Sequence, residues 1–308
     1  MDTVFFPICF VASPPPGFST ASMCPCFFLR RNEARGENTM TRPWAVALLS
    51  LLAGVAISAP GQQGQRDEPE ANPARPTVST PATLTPVGYF QFESGYLAAW
   101  HSPEFSSQSS FNEVVKISFT RRIELLAAAG PFAHSRAENL TASGTGDVAL
   151  GVQGVVHQGE GARPTIALSY FRRVHSGDSP DLDFGSARNS MILLASADVK
   201  GFHYDTNYLF NEVIENGIHR AQFGQTLSVS HSLVKKFGIS GEIWHFTQPF
   251  LRSHAVGNLW ALNYNLRKNL VLDGGFNRGL TSTSTRWEVF MGFTYLLPHK
   301  IQARSGAH

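Results

Sequence analysis

The sharpest hydrophobic alternation in the chain lies at residues 286–297, which read RWEVFMGFTYLL. Taking every second residue gives Trp287, Val289, Met291, Phe293, Tyr295 and Leu297, all apolar, with an aromatic near either end. The residues between them are Arg286, Glu288, Phe290, Gly292, Thr294 and Leu296. A period of two sustained over such a run predicts a strand whose faces meet two different surroundings. Strands in soluble sheets average about 5–6 residues, whereas a strand crossing a bilayer needs roughly 9–11. Length and aromatic bracketing together favour the second.

The pattern recurs from residue 87 onward. Phe90, Phe92, Tyr96 and Trp100 oppose Gln91 and Glu93; Val115, Ile117 and Phe119 oppose Lys116, Ser118 and Thr120. Phe202, Tyr204, Tyr208 and Phe210 oppose His203, Asp205, Asn207 and Asn211. Residues 188–200 are less clean, because Ile192 and Leu194 fall on the polar side, and Trp244 is a similar exception within 237–248. About twelve such runs can be counted, an even number. The breaks alternate as well. Those at 121–122, 200–201, 234–236 and 267–268 are short, and those at 101–110, 133–143, 175–187 and 281–285 are longer and polar. Short turns at one rim and longer loops at the other predict an all-β fold, a transmembrane antiparallel up-and-down β-barrel of about twelve strands over residues 87–298. A lipocalin-like soluble barrel would turn its apolar face inward; the run lengths and the export signal below argue against it.

Upstream of the barrel the periodicity stops. Residues 40–59 carry Arg42, an apolar core and small residues at Ala56, Ser58 and Ala59, the parts of a signal peptide. Residues 1–39 lack any pattern and read as a mis-set start or non-structural extension. Residues 60–86 are rich in Pro, Gln, Glu and Thr and read as a disordered linker. Residues 299–308 form a tail past the last strand. The expected location is the outer membrane of a Gram-negative-type bacterium. The expected partners are outer-membrane lipid, periplasmic chaperones and the barrel-assembly machinery during export, and a small-molecule solute.

Charge and cysteine content narrow the chemistry. Residues 1–59 hold four of the 25 Lys/Arg, three of the 23 Asp/Glu and all three cysteines. What remains is nearly neutral, with no basic cluster for nucleic acid and no Cys for a disulfide or zinc site. No cofactor or metal is implied: His203 and Asp205 share a face, but no second His stands at suitable spacing. Ser230, His231 and Ser232 are adjacent, so in a strand the serines point away from the histidine, and no G-x-S-x-G stretch is present. An enzyme is not expected.

The lumen-facing polar candidates are Glu93, Lys116, Glu124, Asp147, Arg173, Asp205, Asn207, Glu242, Asp273, Asn277 and Glu288. Unpaired charges in a narrow lumen are costly, so Glu124, Asp147 and Glu288 are expected to hold Lys116, Arg173 or Arg286. Gly151, Gly224, Gly275 and Gly292 fall at inward positions and are expected to leave the lumen partly open.

Four stretches carry a family resemblance. Gly144-Thr145-Gly146-Asp147 with the VALGVQG that follows, Arg122-Ile123-Glu124-Leu125, the segment 273–280 (DGGFNRGL) and Gly292-Phe293-Thr294-Tyr295 resemble, in order and spacing, strands of the outer-membrane barrels associated with the meta-pathway of phenol degradation. The resemblance covers roughly residues 88–297; the tail from Pro298 departs from barrels that end on an aromatic. It implies a transporter-like channel for passive passage of small, aromatic or otherwise hydrophobic compounds. The alternatives are a structural or adhesive barrel with a plugged lumen and, third, an outer-membrane acyl hydrolase.

Overall fold

Alternation along the chain becomes register between strands. In the structure, a computed structural model describing residues 69–137, 140–177, 187–215 and 217–300, the elements are β1 (Phe90–Trp100), β2 (Ser107–Ser118), β3 (Ile123–Ala137), β4 (Leu140–Gly144), β5 (Val148–His157), β6 (Thr165–His175), β7 (Ala187–Val199), β8 (Phe202–Glu215), β9 (Ile218–Val234), β10 (Phe237–Gln248), β11 (Ser253–Arg267), β12 (Leu270–Gly279) and β13 (Trp287–Leu296). The expected extension, the signal peptide, the start of the linker and the end of the tail lie outside the described residues.

Successive strands pair antiparallel, and β1 pairs with β13 from Gln91↔Leu296 to Trp100↔Trp287. That last pairing closes the sheet. Twelve strands form the wall, and β4 is a short arm that pairs only with β3. Closure satisfies the backbone groups that an open sheet would leave at its edges, the condition for backbone to sit in hydrocarbon.

One rim carries the connections β2–β3, β5–β6, β7–β8, β9–β10 and β11–β12, all of them short except β5–β6; the opposite rim carries the others, most of them longer, with β8 and β9 joined closely between Glu215 and Ile218. Two expectations need correction at the long-loop rim. Residues 133–137 and 140–143 are strand rather than loop: the alternation of β3 continues to Ala137, β4 returns along it, and His134 Nδ1 lies 2.6 Å from Ser143 Oγ. The stretch 144–154, which resembles a single strand of the family, is also divided: β4 ends at Gly144 and β5 begins at Val148. Gly146 donates its N–H to Gly130 O at 2.6 Å, an approach so close that a Cβ on either glycine would press on the other's backbone.

The two faces of the wall differ throughout. In β13, Met291 is 60% exposed while Thr294 is fully buried. Outward positions carry Leu125, Leu150, Leu168, Met191, Leu227, Ile243, Leu262 and Leu272, a continuous apolar band far larger than a water-facing monomer tolerates. Outer aromatic pairs stand towards both ends of the strands. Phe92–Phe293 and Phe237–Tyr264 lie nearer the short-turn rim, at 5.9 and 4.7 Å between ring centroids. Tyr96–Phe111 and Phe210–Phe223 lie nearer the long-loop rim, at 5.3 and 5.5 Å. An apolar band between aromatic girdles is the outer surface of a membrane barrel.

Candidate functional site

The inside of the barrel is occupied by the chain's own residues 71–86, most of the described part of the stretch read as a disordered linker. That reading fails because it weighed only the segment's own composition. Pro73, Pro76, Pro81 and Pro86 keep this stretch out of helix and sheet, leaving its remaining N–H groups without partners of their own. Buried N–H groups must be satisfied, and here the wall supplies the acceptors.

The segment enters at the short-turn rim, where Ala71 N–H donates to Lys268 O at 2.9 Å. Asn72 N–H donates to Gln91 Oε1 (2.8 Å), Gln91 Nε2 donates back to Asn72 O (2.6 Å), and Ala74 N–H donates to Glu93 Oε1 (3.2 Å). Arg75 reaches across to Asp273, with Nη2 3.2 Å from Oδ1. Glu242 then receives the N–H groups of both Val78 and Ser79 at 2.7 Å, with the Ser79 hydroxyl 2.6 Å away. Thr80 and Asn207 exchange two bonds, N–H to Oδ1 at 2.7 Å and Nδ2 to O at 2.9 Å. Gln153 Nε2 donates to Pro81 O (3.0 Å), and Ala82 N–H to Ser196 Oγ (2.7 Å). Thr85 ends the path: its N–H donates to Glu124 Oε2 at 2.8 Å and its hydroxyl also contacts that carboxylate. In chain order the partners fall on β1, β12, β10, β8, β5, β7 and β3. The segment therefore runs a circuit of the inner wall before becoming β1.

These contacts place most of the inward candidates. Glu93 is also paired with Lys116 Nζ at 2.5 Å, both side chains almost fully buried. Glu124 takes the inserted Thr85 and Ser118 Oγ (2.9 Å) rather than a cation of the wall, a correction to the expected network. Asp147 and Arg173 pair at 3.0 Å near the long-loop rim, where Asp147 also accepts Gly177 N–H. Asp205 accepts Ser196 Oγ at 2.6 Å and lies 3.2 Å from His203 Nε2, whose Nδ1 is 2.8 Å from Asp198. Asn277 accepts Trp244 Nε1–H (2.8 Å) and donates to Glu288 (2.7 Å). Among the described residues no group of three or more metal-ligating side chains stands together. Gln91, Ser118, Gln153, Ser196 and Thr226 belong to the site and were not singled out from the sequence; their polar inward positions were the available signal.

Towards the long-loop rim the inner wall carries apolar clusters beside buried polar side chains such as Gln108, Asn211, Gln222 and Asn277. Trp244, Phe246 and Ala255 pack together with Leu209 and with Val78 of the inserted segment. Leu259, Ala261 and Phe290 form a neighbouring cluster with Leu97. Ile192 and Leu194, out of phase in the sequence, face inward against Ala82 and Leu84. The inward glycines do not leave the lumen open. Their space is taken: a Cβ on Gly151 would strike Phe171, on Gly224 Phe246, and on Gly292 both Ser94 O and Arg75. One on Gly275 would strike the β11 backbone, and one on Gly95 the Arg75 guanidinium.

No family model matches the chain, and no curated protein matches it. Among solved structures, an outer membrane channel from Pseudomonas putida F1 is similar over 70% of this chain and 98% of its own, at 14% identity and a TM-score of 0.53. The NanC porin (10% identity, 68% and 100% covered, TM-score 0.48) and the KdgM porin (12%, 67% and 98%, 0.47) are more distant. At this identity the similarity to the Pseudomonas channel shows the fold, a closed twelve-stranded antiparallel barrel of the outer-membrane porin type.

Proposed function

We propose that this protein is an outer-membrane channel for passive passage of small solutes, with residues 71–86 as a built-in gate. The observation that carries the reading is the inserted segment itself. Apart from the one backbone bond from Ala71 to Lys268 O, it is held by side chains of the wall and by no ladder of its own, so it can leave without unpairing a single strand. The resemblance to the phenol meta-pathway barrels extends the proposal to aromatic or hydrophobic compounds, and Trp244, Phe246 and Phe290 offer such solutes an apolar inner surface. A second reading, a permanently plugged structural barrel, draws on the same segment.

Planar-bilayer conductance of the full chain separates the two. S79P/T85P removes two backbone donors to Glu242 and Glu124 and two hydroxyls, and it alters only the inserted segment. The wild-type chain should give small or infrequent current steps and the variant larger ones, with heat-modifiable gel mobility confirming folded barrels. Silent bilayers from both folded proteins establish the plugged barrel instead.

A further inference from the structure

The wall that receives the inserted segment is lopsided in charge. Among the described residues the buried ionisable side chains are Glu93, Glu124, Asp205, Glu242, Asp273, Glu288 and a single amine, Lys116. Lys116 pairs with Glu93 and His203 lies beside Asp205; among the described residues no second buried amine or guanidinium of the wall stands against Glu124, Glu242 or Asp273. The inserted segment meets this surface with donors. The N–H groups of Asn72, Ala74, Val78, Ser79, Thr80, Ala82 and Thr85 all donate to wall side chains, three of which are carboxylates. Its one inward cation, Arg75, meets a fourth carboxylate, Asp273.

The match is chemical rather than specific to side chains, since it is made mostly by backbone. Whatever replaces the segment faces the same requirement. Leaving buried carboxylates uncompensated is costly, so the vacated belt draws in species that donate hydrogen bonds and carry positive charge. A neutral aromatic would satisfy none of these acceptors, and an anion would meet repulsion.

Resting on the channel reading above, we infer that the open lumen selects small organic cations rich in N–H donors, of the amine class, over anions and neutral solutes of equal size. An arylalkylamine would suit both parts of the inner wall, its ring facing Trp244 and Phe290 and its ammonium group the carboxylate belt.

The test is the reversal potential of full-length wild type and S79P/T85P in planar bilayers under a KCl gradient, then with phenethylammonium chloride replacing KCl on one side. A cation-to-chloride permeability ratio of about tenfold is expected, the order of enrichment a cleft of one charge sign produces. Phenethylammonium should carry current where phenylacetate, tried as its potassium salt, does not. Adding E124Q/E242Q to the open variant should bring the ratio towards one. Current steps that prefer chloride or show no preference overturn this inference and leave the channel intact. No current from either folded protein overturns both.

Discussion

The two halves of the inner wall solve the same problem in opposite ways. Near the long-loop rim, Leu259, Ala261, Phe290 and Leu97 pack on one another along the inner wall, partners that the wall itself supplies. Nearer the short-turn rim, Glu124, Asn207, Glu242 and Asp273 take their partners from a segment that belongs to no strand. The first half is complete as soon as the barrel closes. The second is complete only while residues 71–86 stay in place. An apolar cluster built into the wall is architecture, whereas a polar belt matched to a removable peptide is a binding site.

The largest expected effect breaks the architectural half. Phe290→Ala leaves a cavity among Leu97, Leu259 and Ala261 and should cost about 3–5 kcal/mol in urea unfolding from lipid vesicles. Protection of residues 71–86 from protease should not change; if it falls in step with barrel stability, the two halves are a single unit. Next comes Glu242→Leu, which strands the N–H groups of Val78 and Ser79 at about 1–2 kcal/mol each. Docking should weaken by about 2–4 kcal/mol, read as faster proteolysis within the segment while the barrel keeps its heat-modifiable mobility. The smallest effect sharpens the contrast by its sign. Gly95→Val drives a methyl into the Arg75 guanidinium and loosens its pair with Asp273, a change of about 1–2 kcal/mol. Adding bulk to the wall should raise solute flux into proteoliposomes, whereas simple narrowing of an open pore would lower it.

The barrel was legible because its signal is local. Trp287 to Tyr295 alternate within one strand, and nothing distant is needed to see it. The inward positions of Glu93, Asp205, Asn207 and Asp273 follow from the same period. The inserted segment was not legible for the opposite reason. Its prolines and small polar residues describe a peptide that cannot fold by itself, and that is true of it; its order comes from Glu242, Asn207 and Glu124, far along the chain. The glycines misled in a related way. Gly292, Gly151 and Gly224 do lack side chains inside the lumen, but the sequence did not say that Arg75, Phe171 and Phe246 would lie over them. Out-of-phase residues such as Ile192, Leu194 and Trp244 were the one visible hint that the inner wall had something to pack against.

The inserted segment also has a place in time. Its contacts span 198 residues from Arg75 to Asp273, 164 from Val78 to Glu242 and 127 from Thr80 to Asn207. Contacts so distant along the chain form late, because the intervening loop must be closed first. The acceptors that hold the segment come together only when β12 and β13 have been added and β13 has met β1. Residues 71–86, which precede β1, are therefore among the last to find their places. A barrel halted before its seam closes would still expose them, and protease sensitivity at residues 71–86 would report, strand by strand, how far assembly had advanced.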